Sequence, residues 1–224
     1  MMSTVSPGAI VRVRALKLVR RLAQPEARAS LYCLTGQLFL VEGQLDRASR
    51  WLQRALALFG DAVAPEARPW AQRLLADVDL SMGRPQAAQA RLEPILSSAD
   101  QHDTAFMLPS LAWAHLQQGR LADAERVATA AAARARAERN RLALVDALRV
   151  RAMTAMAQER WDEAHRALDD GLNVARRSQY RPAEERLLGV YRELHERTDG
   201  HASGRARTAD GGSDEGLPHI HPQS

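Results

Sequence analysis

Small and hydrophobic residues recur along this chain in four stretches that share one pattern. The stretches are EGQLDRASRWLQRAL (42–56), MGRPQAAQARLEPIL (82–96), QGRLADAERVATAAA (118–132) and QERWDEAHRALDDGL (158–172), which begin 40, 36 and 40 residues apart. Glycine holds the second position of the first three stretches, and Glu159 holds it in the fourth. An alanine follows five residues later and an apolar residue four after that, in the pairs Ala48/Leu52, Ala88/Leu92, Ala124/Ala128 and Ala164/Leu168. Spacing of this kind predicts a helix after each turn.

The segment before each turn has a helical pattern of its own. In the first unit Tyr32, Gly36 and Phe39 lie at i, i+4 and i+7, on one face of a helix. Glycine after such a helix adopts a left-handed conformation without a clash at Cβ, and a small alanine lets two helices approach closely. Each unit is therefore predicted to be a helix, a tight turn and a second helix. One pair cannot bury both of its apolar faces, so the units are expected to stack.

The repeat resembles that of the tetratricopeptide family. The first unit matches it best, with the residues Tyr32, Gly36, Phe39, Gly43, Leu45, Ala48, Leu52 and Ala55. The resemblance implies an all-α fold, an α-α superhelix, with four helix pairs over residues 29–178. Asp79 and His115 depart from it, because the family usually has a large apolar residue there. The long, Arg- and Ala-rich units are also similar to the arrays of bacterial signal-transduction ATPases and LuxR-type regulators.

The two ends of the chain differ from the repeats. Residues 9–24 place Val11, Ala15, Leu18 and Leu22 on one helical stripe and basic residues opposite. We expect residues 1–28 to contain a basic amphipathic helix that packs on the array; binding to an anionic membrane or an acidic partner is the alternative. Residues 179–197 are predicted to form a capping helix. Residues 198–224, rich in Gly, Ser, Asp and His, are predicted to be disordered.

Composition and charge limit the classes of function. The net charge is +4, but residues 1–28 alone carry +5 and residues 198–224 carry −2, so the repeats are almost neutral. A continuous basic stripe for nucleic acid is therefore not expected. Cys33 is the only cysteine, which excludes a disulfide framework. No run of about 18 apolar residues predicts a membrane span, and no secretory signal is recognisable, so a cytoplasmic location is expected.

Motifs for catalysis or cofactor binding are missing from the sequence. It contains no GxxxxGKS/T phosphate loop, no HExxH, no GxSxG and no GxGxxG. The histidines are scattered, and none has a carboxylate and a second histidine at metal-ligand spacing. Acidic pairs such as Asp123–Glu125 and Asp162–Glu163 lie where helices begin, where they interact favourably with the helix dipole. We expect neither an enzyme nor a cofactor or metal site.

The resemblance implies that the first helix of each pair lines a concave groove. The positions that it carries over to this groove are Cys33, Gln37, Leu40, Trp70, Arg73, Asp77, Phe106, Trp113, Gln117, Arg149, Met153 and Met156. We take Gln37, Trp70, Arg73, Asp77, Trp113, Gln117, Arg149 and Met153 as candidate partner-binding residues, because aromatic, Met and Arg side chains are enriched in interfaces. Trp113 and Met153 are equally well suited to packing between units and to binding a partner.

Three hypotheses about function follow from this arrangement. The first is a scaffold or adaptor that binds a protein or peptide in the groove, as part of a bacterial regulatory system. The second is a sensor of a small molecule or peptide signal that controls transcription, which predicts an enclosed pocket with converging polar groups. The third, a nucleic-acid binder, is disfavoured by the neutral repeats.

Overall fold

Nine α-helices and one 3-10 helix make up the described part of the chain, residues 24–59, 68–98 and 104–210 of this computed structural model. No strand occurs within those ranges. The helices are α1 (Pro25–Val41), α2 (Leu45–Leu58), α3 (Arg68–Ser81), α4 (Pro85–Ser98), the 3-10 turn Thr104–Phe106, α5 (Leu108–Gln117), α6 (Leu121–Ala137), α7 (Arg141–Ala157), α8 (Trp161–Arg177) and α9 (Arg181–Asp210).

The helices form two layers. The inner layer consists of the odd-numbered helices, in which α1 contacts α3, α3 contacts α5, α5 contacts α7 and α7 contacts α9. Each even-numbered helix packs on the odd-numbered helix before it and on the one after it. Four antiparallel pairs and a final helix thus form the predicted all-α superhelix, in which every pair covers an apolar face of the next.

The boundaries differ from the prediction at both ends. Helix α1 begins at Pro25, inside the segment that was assigned to a separate N-terminal helix, and proline is well suited to the first turn of a helix. Residues 1–23, with the basic amphipathic stripe, lie outside the described residues. Helix α9 continues to Asp210, so residues 198–210 are helical, whereas the sequence pattern predicts disorder from residue 198. This stretch includes Ala202, Arg205, Ala206 and Arg207, which are strong helix formers. Residues 211–224 are outside the described range.

The recurring small and large residues form the seam between helices. Ala48, Ala88, Ala124 and Ala164 are fully buried, and so are the residues four positions later, Leu52, Leu92, Ala128 and Leu168. A side chain of one methyl group at the first position lets the second helix of each pair approach closely, and the following residue fills the space between units. The repeat register predicted from the sequence is therefore confirmed by burial.

The turns within the pairs have the predicted left-handed residue. Gly43, Gly83 and Gly119 have φ angles of 71°, 69° and 73°, and Glu159 has a φ of 57°. After α1 the Gly43 amide donates to the carbonyl of Leu40 at 3.0 Å, and the next amide, of Gln44, donates to that of Phe39 at 2.8 Å. These two bonds form a Schellman motif, which satisfies the last carbonyls of the helix.

Replacing Glu159 with glycine is expected to raise the free energy of unfolding by about 0.5–1 kcal/mol, because a side chain is unfavourable in the left-handed region. Glu159 is exposed, and its amide donates to Met156 at 3.1 Å in the same kind of turn. Urea unfolding followed by circular dichroism measures the change. The reverse substitution is Gly119→Ala, at a turn where an added Cβ meets nothing within 4 Å. It should lower stability by a similar amount; no difference in either variant would contradict the role of backbone conformation.

The two departures from the repeat are both buried. Asp79 is 5% exposed and accepts from Arg84 at 2.9 Å and from Arg91 at 2.7 Å. These two ion pairs therefore connect α3 to the turn that follows it and to α4. His115 is 6% exposed, and burial, assisted by nearby Arg120, lowers its pKa. The neutral imidazole thus takes the place of the usual apolar side chain.

Candidate functional site

All five inner-layer helices border one cavity of about 650 Å³. Its lining includes Gln37 and Leu40 from α1, Trp70 and Arg73 from α3, and Trp113 from α5. Helix α7 adds Leu142, Asp146 and Arg149, and the start of α9 adds Pro182, Glu185 and Arg186. Because successive helices of the inner layer contribute side chains to the same space, the site exists only in the assembled superhelix.

Six of the eight candidate partner-binding residues line this cavity. They are Gln37, Trp70, Arg73, Asp77, Trp113 and Arg149. The other two are not in its lining. The Gln117 side chain donates to the carbonyl of Leu80 at 3.0 Å, which ties α5 to α3, and the Met153 sulfur lies 3.4 Å from a terminal nitrogen of Arg149. Both side chains therefore act within the superhelix.

Two further positions that the resemblance assigned to the groove are buried instead. Cys33 has no exposed surface and Met156 is 3% exposed. Burial raises the pKa of the Cys33 thiol to about 12. The thiolate is the reactive form of cysteine, so at neutral pH this residue is a packing side chain and not a nucleophile. Leu40 and Phe106, from the same set, do line the cavity.

Ion pairs connect three inner helices across the cavity wall. Arg73 on α3 lies 3.0 Å from Asp77 on the same helix and 3.8 Å from Asp146 on α7. Arg186 on α9 lies 3.0 Å from the other oxygen of Asp146. The hydroxyl of Ser110, on α5, donates to Asp77 at 2.5 Å. The carboxylates of Asp77 and Asp146 are thereby each bound by a side chain from another helix.

Arg149 has a different environment from the other two arginines. Its guanidinium carbon lies 4.7 Å from the centroid of the Trp113 ring, and a terminal nitrogen donates to the Met153 sulfur, a weak acceptor. Within the described residues it forms no ion pair, and its Nε is buried without an acceptor. Burial lowers the pKa of Arg149. The carboxylates of Asp146 and Asp77 act to raise this pKa, and the nearby Arg186 and Arg73 act to lower it further.

Arg186 shows the opposite balance. Burial acts to lower the pKa of Arg186, but the negative charges of Asp146 and Asp77 and the contact with Tyr180 outweigh it and raise the pKa. Asp146, Tyr180 and Arg186 were not among the residues predicted for the groove. Asp146 and Arg186 are 40 residues apart in the chain, and the sequence offers no local pattern that brings them together.

Among the described residues no three or more His, Cys, Asp and Glu side chains form a group that could hold a metal ion. Within the same ranges no helix has both the length and the apolar character needed to cross a bilayer. The side chains that line the cavity thus supply three guanidinium groups, three carboxylates, aromatic rings and three hydroxyl groups.

Comparison with known proteins shows the fold. No protein-family model and no curated protein matches the sequence. A Rap protein complexed with competence and sporulation factor aligns with a TM-score of 0.67 and 15% identity over 86% of this chain, which spans 58% of the length of that protein. The apo form of RapI gives a TM-score of 0.60 and 15% identity, covering 90% of this chain and 78% of RapI.

A third solved structure, BtubC (BKLC) from P. vanneervenii, gives a TM-score of 0.57 and 17% identity, and the alignment covers 96% of this chain and 95% of BtubC. At these levels of identity the similarity is one of architecture. The chain therefore has the α-α superhelical fold of helical-repeat proteins.

Proposed function

We propose that this chain is a non-catalytic, tetratricopeptide-like module that binds a protein or peptide in the cavity of its inner face, as part of a bacterial regulatory system. The observation that carries the proposal is the convergence of five helices on one cavity with exposed parts of Trp70, Phe106 and Trp113 and the guanidinium group of Arg149. Aromatic and Arg side chains dominate the binding energy of interfaces. The Rap protein solved with competence and sporulation factor supports a peptide as the ligand.

A second function, the sensor of a small molecule or peptide signal, is favoured by the form of the site. The cavity is of the size of ordinary ligand pockets, and polar groups from α3, α5, α7 and α9 converge on it. A ligand there touches several units at once, so its binding energy acts on the curvature of the array. Small-angle scattering with and without ligand separates the two functions, because a sensor changes its radius of gyration and a rigid adaptor does not.

Affinity capture tests the binding function directly. The wild-type chain is immobilised and exposed to extract of the source organism, beside a double variant Arg73→Gln/Arg149→Gln and an outer-surface control Arg126→Gln/Arg176→Gln. Mass spectrometry should identify molecules that the wild type and the control retain and the cavity variant loses. Equal retention by all three proteins would place binding elsewhere, and no retention by any would contradict the proposal.

A further inference from the structure

Arg149 is the one cavity arginine of the described residues that lacks a carboxylate partner. Arg73 pairs with Asp77, and Arg186 pairs with Asp146. Glu185, the third acidic residue of the lining, is exposed and needs no partner other than water. A guanidinium group taken partly out of water is unfavourable unless an anion or strong acceptor compensates it. The lowered pKa of Arg149 expresses the same imbalance.

The arginine is nevertheless held in a defined position. Trp113 supports one face of the guanidinium, and Met153 contacts a terminal nitrogen. Stacking on an aromatic ring orients the planar fork and leaves its edge for a second planar group. The Nε atoms of both Arg149 and Arg73 are buried without an acceptor, so two N–H groups of the wall have no partner among the described residues.

Apolar side chains also line the cavity. Leu142 is 42% exposed and Val41 is 49% exposed, and both line the cavity together with Phe106 and Trp70. Apolar side chains left open in a concave site favour a ligand with a hydrophobic body next to its charge. A single unpaired guanidinium balances one negative charge, which matches a carboxylate better than a phosphate dianion.

From these observations we propose that the cavity binds its ligand through one carboxylate paired with Arg149, with the apolar part of the ligand against Trp113 and Leu142. This inference rests on the proposed binding function and specifies the chemistry of its ligand. A peptide side chain, a peptide carboxyl terminus and a small organic acid all supply the same group. An Arg–carboxylate pair is bidentate and charge-assisted, so an amide in place of the acid should bind at least about tenfold more weakly.

Four probes distinguish the sources of the carboxylate. The first is a pool of random pentapeptides without Asp or Glu and with a free carboxyl terminus, and the second is the same pool with amidated ends. The third is an amidated pool with one Asp or Glu in each peptide. The fourth is phenylacetate, compared with phenylacetamide and with phenyl phosphate. Retention on immobilised protein is measured by mass spectrometry for the peptides and by saturation-transfer NMR for the small acids.

The expected result is retention of an acid-bearing probe over its matched amide by about tenfold or more in the wild type, and a ratio near one in Arg149→Gln. Arg149→Lys should keep part of the preference, because the ammonium retains the charge but not the planar fork. Arg126→Gln, on the exposed surface of α6, should behave as the wild type. Melting curves of all variants confirm that each one is folded.

Each other outcome has a separate meaning. Equal retention of acid and amide peptides by the wild type, lost in the double variant Arg73→Gln/Arg149→Gln, would overturn the carboxylate and leave the peptide-binding function in place. Retention of phenylacetate alone would keep the carboxylate and overturn the peptide. Tighter binding of phenyl phosphate than of phenylacetate would identify a phosphate site and overturn the inference. Retention of no probe would overturn both the inference and the peptide function.

Discussion

Replacing Asp79 with alanine should lower the free energy of unfolding by about 1–3 kcal/mol, as expected when a buried hydrogen-bond acceptor is lost. The carboxylate is almost fully buried, and it joins α3 to Arg84 in the turn and to Arg91 on α4. Its removal leaves the Arg91 guanidinium, whose side chain is 34% exposed, without an anion. Urea unfolding followed by circular dichroism measures the loss.

A matched control separates burial from charge. Asp123 pairs with Arg126 at 2.9 Å, the same distance as Asp79 to Arg84, but both partners lie at the surface. Exposed pairs of this kind contribute little, so Asp123→Ala should leave unfolding almost unchanged. The double substitution Asp79→Leu/Arg91→Leu should recover much of the stability, because a buried ion pair can be replaced by apolar packing. An equal effect of Asp79→Ala and Asp123→Ala would contradict the structural role of the buried carboxylate.

Gly36→Ala should lower the free energy of unfolding by about 1–3 kcal/mol through overpacking. In the middle of a helix alanine is ordinarily better than glycine by roughly 0.5–1 kcal/mol, so the expected sign is the reverse of the intrinsic preference. The reason is the close approach of α1 and α2. A Cβ at Gly36 would lie 2.6 Å from Cγ and 2.8 Å from Cδ2 of Leu52, which is itself fully buried.

The control for this substitution is a glycine in α9. Gly189 has the nitrogen of Arg192 as its nearest neighbour, 4.0 Å from an added Cβ, so Gly189→Ala should stabilise the protein by roughly 0.5–1 kcal/mol. The double variant Gly36→Ala/Leu52→Ala should lose less than the sum of the two single variants, since truncating Leu52 removes the clash. Thermal and urea unfolding test both statements. Stabilisation by Gly36→Ala would show that the two helices move apart at little cost.

Trp113 and Arg149 show how far a pattern predicts a site. Both were assigned to the concave groove by the resemblance, and both line the cavity. The same argument assigned Cys33 and Met153 to the groove, but Cys33 is in the core and Met153 contacts Arg149. Helical spacing limits a side chain to one face of its helix, and the rotation of that helix against its neighbours decides whether the residue reaches the cavity or the seam.

Asp79 shows the same limit for stability. In the sequence it is a polar residue where the repeat expects an apolar one, and nothing nearby marks Arg84 and Arg91 as its partners. The structure brings both guanidinium groups to the carboxylate, so this polar residue connects α3 to α4. Pairing of this kind depends on which side chains face each other across a helix pair.

The sequence by itself determined the repeating unit of this protein, because its signals are local. A left-handed turn at Gly43, Gly83 and Gly119 and a fully buried alanine five residues later depend on residue type and short spacing. The tertiary structure alone decided the cavity and its charges. Asp146 meets Arg73 and Arg186 only because the curvature of the superhelix brings α3, α7 and α9 to one space, and that curvature sums small contributions from every packed pair.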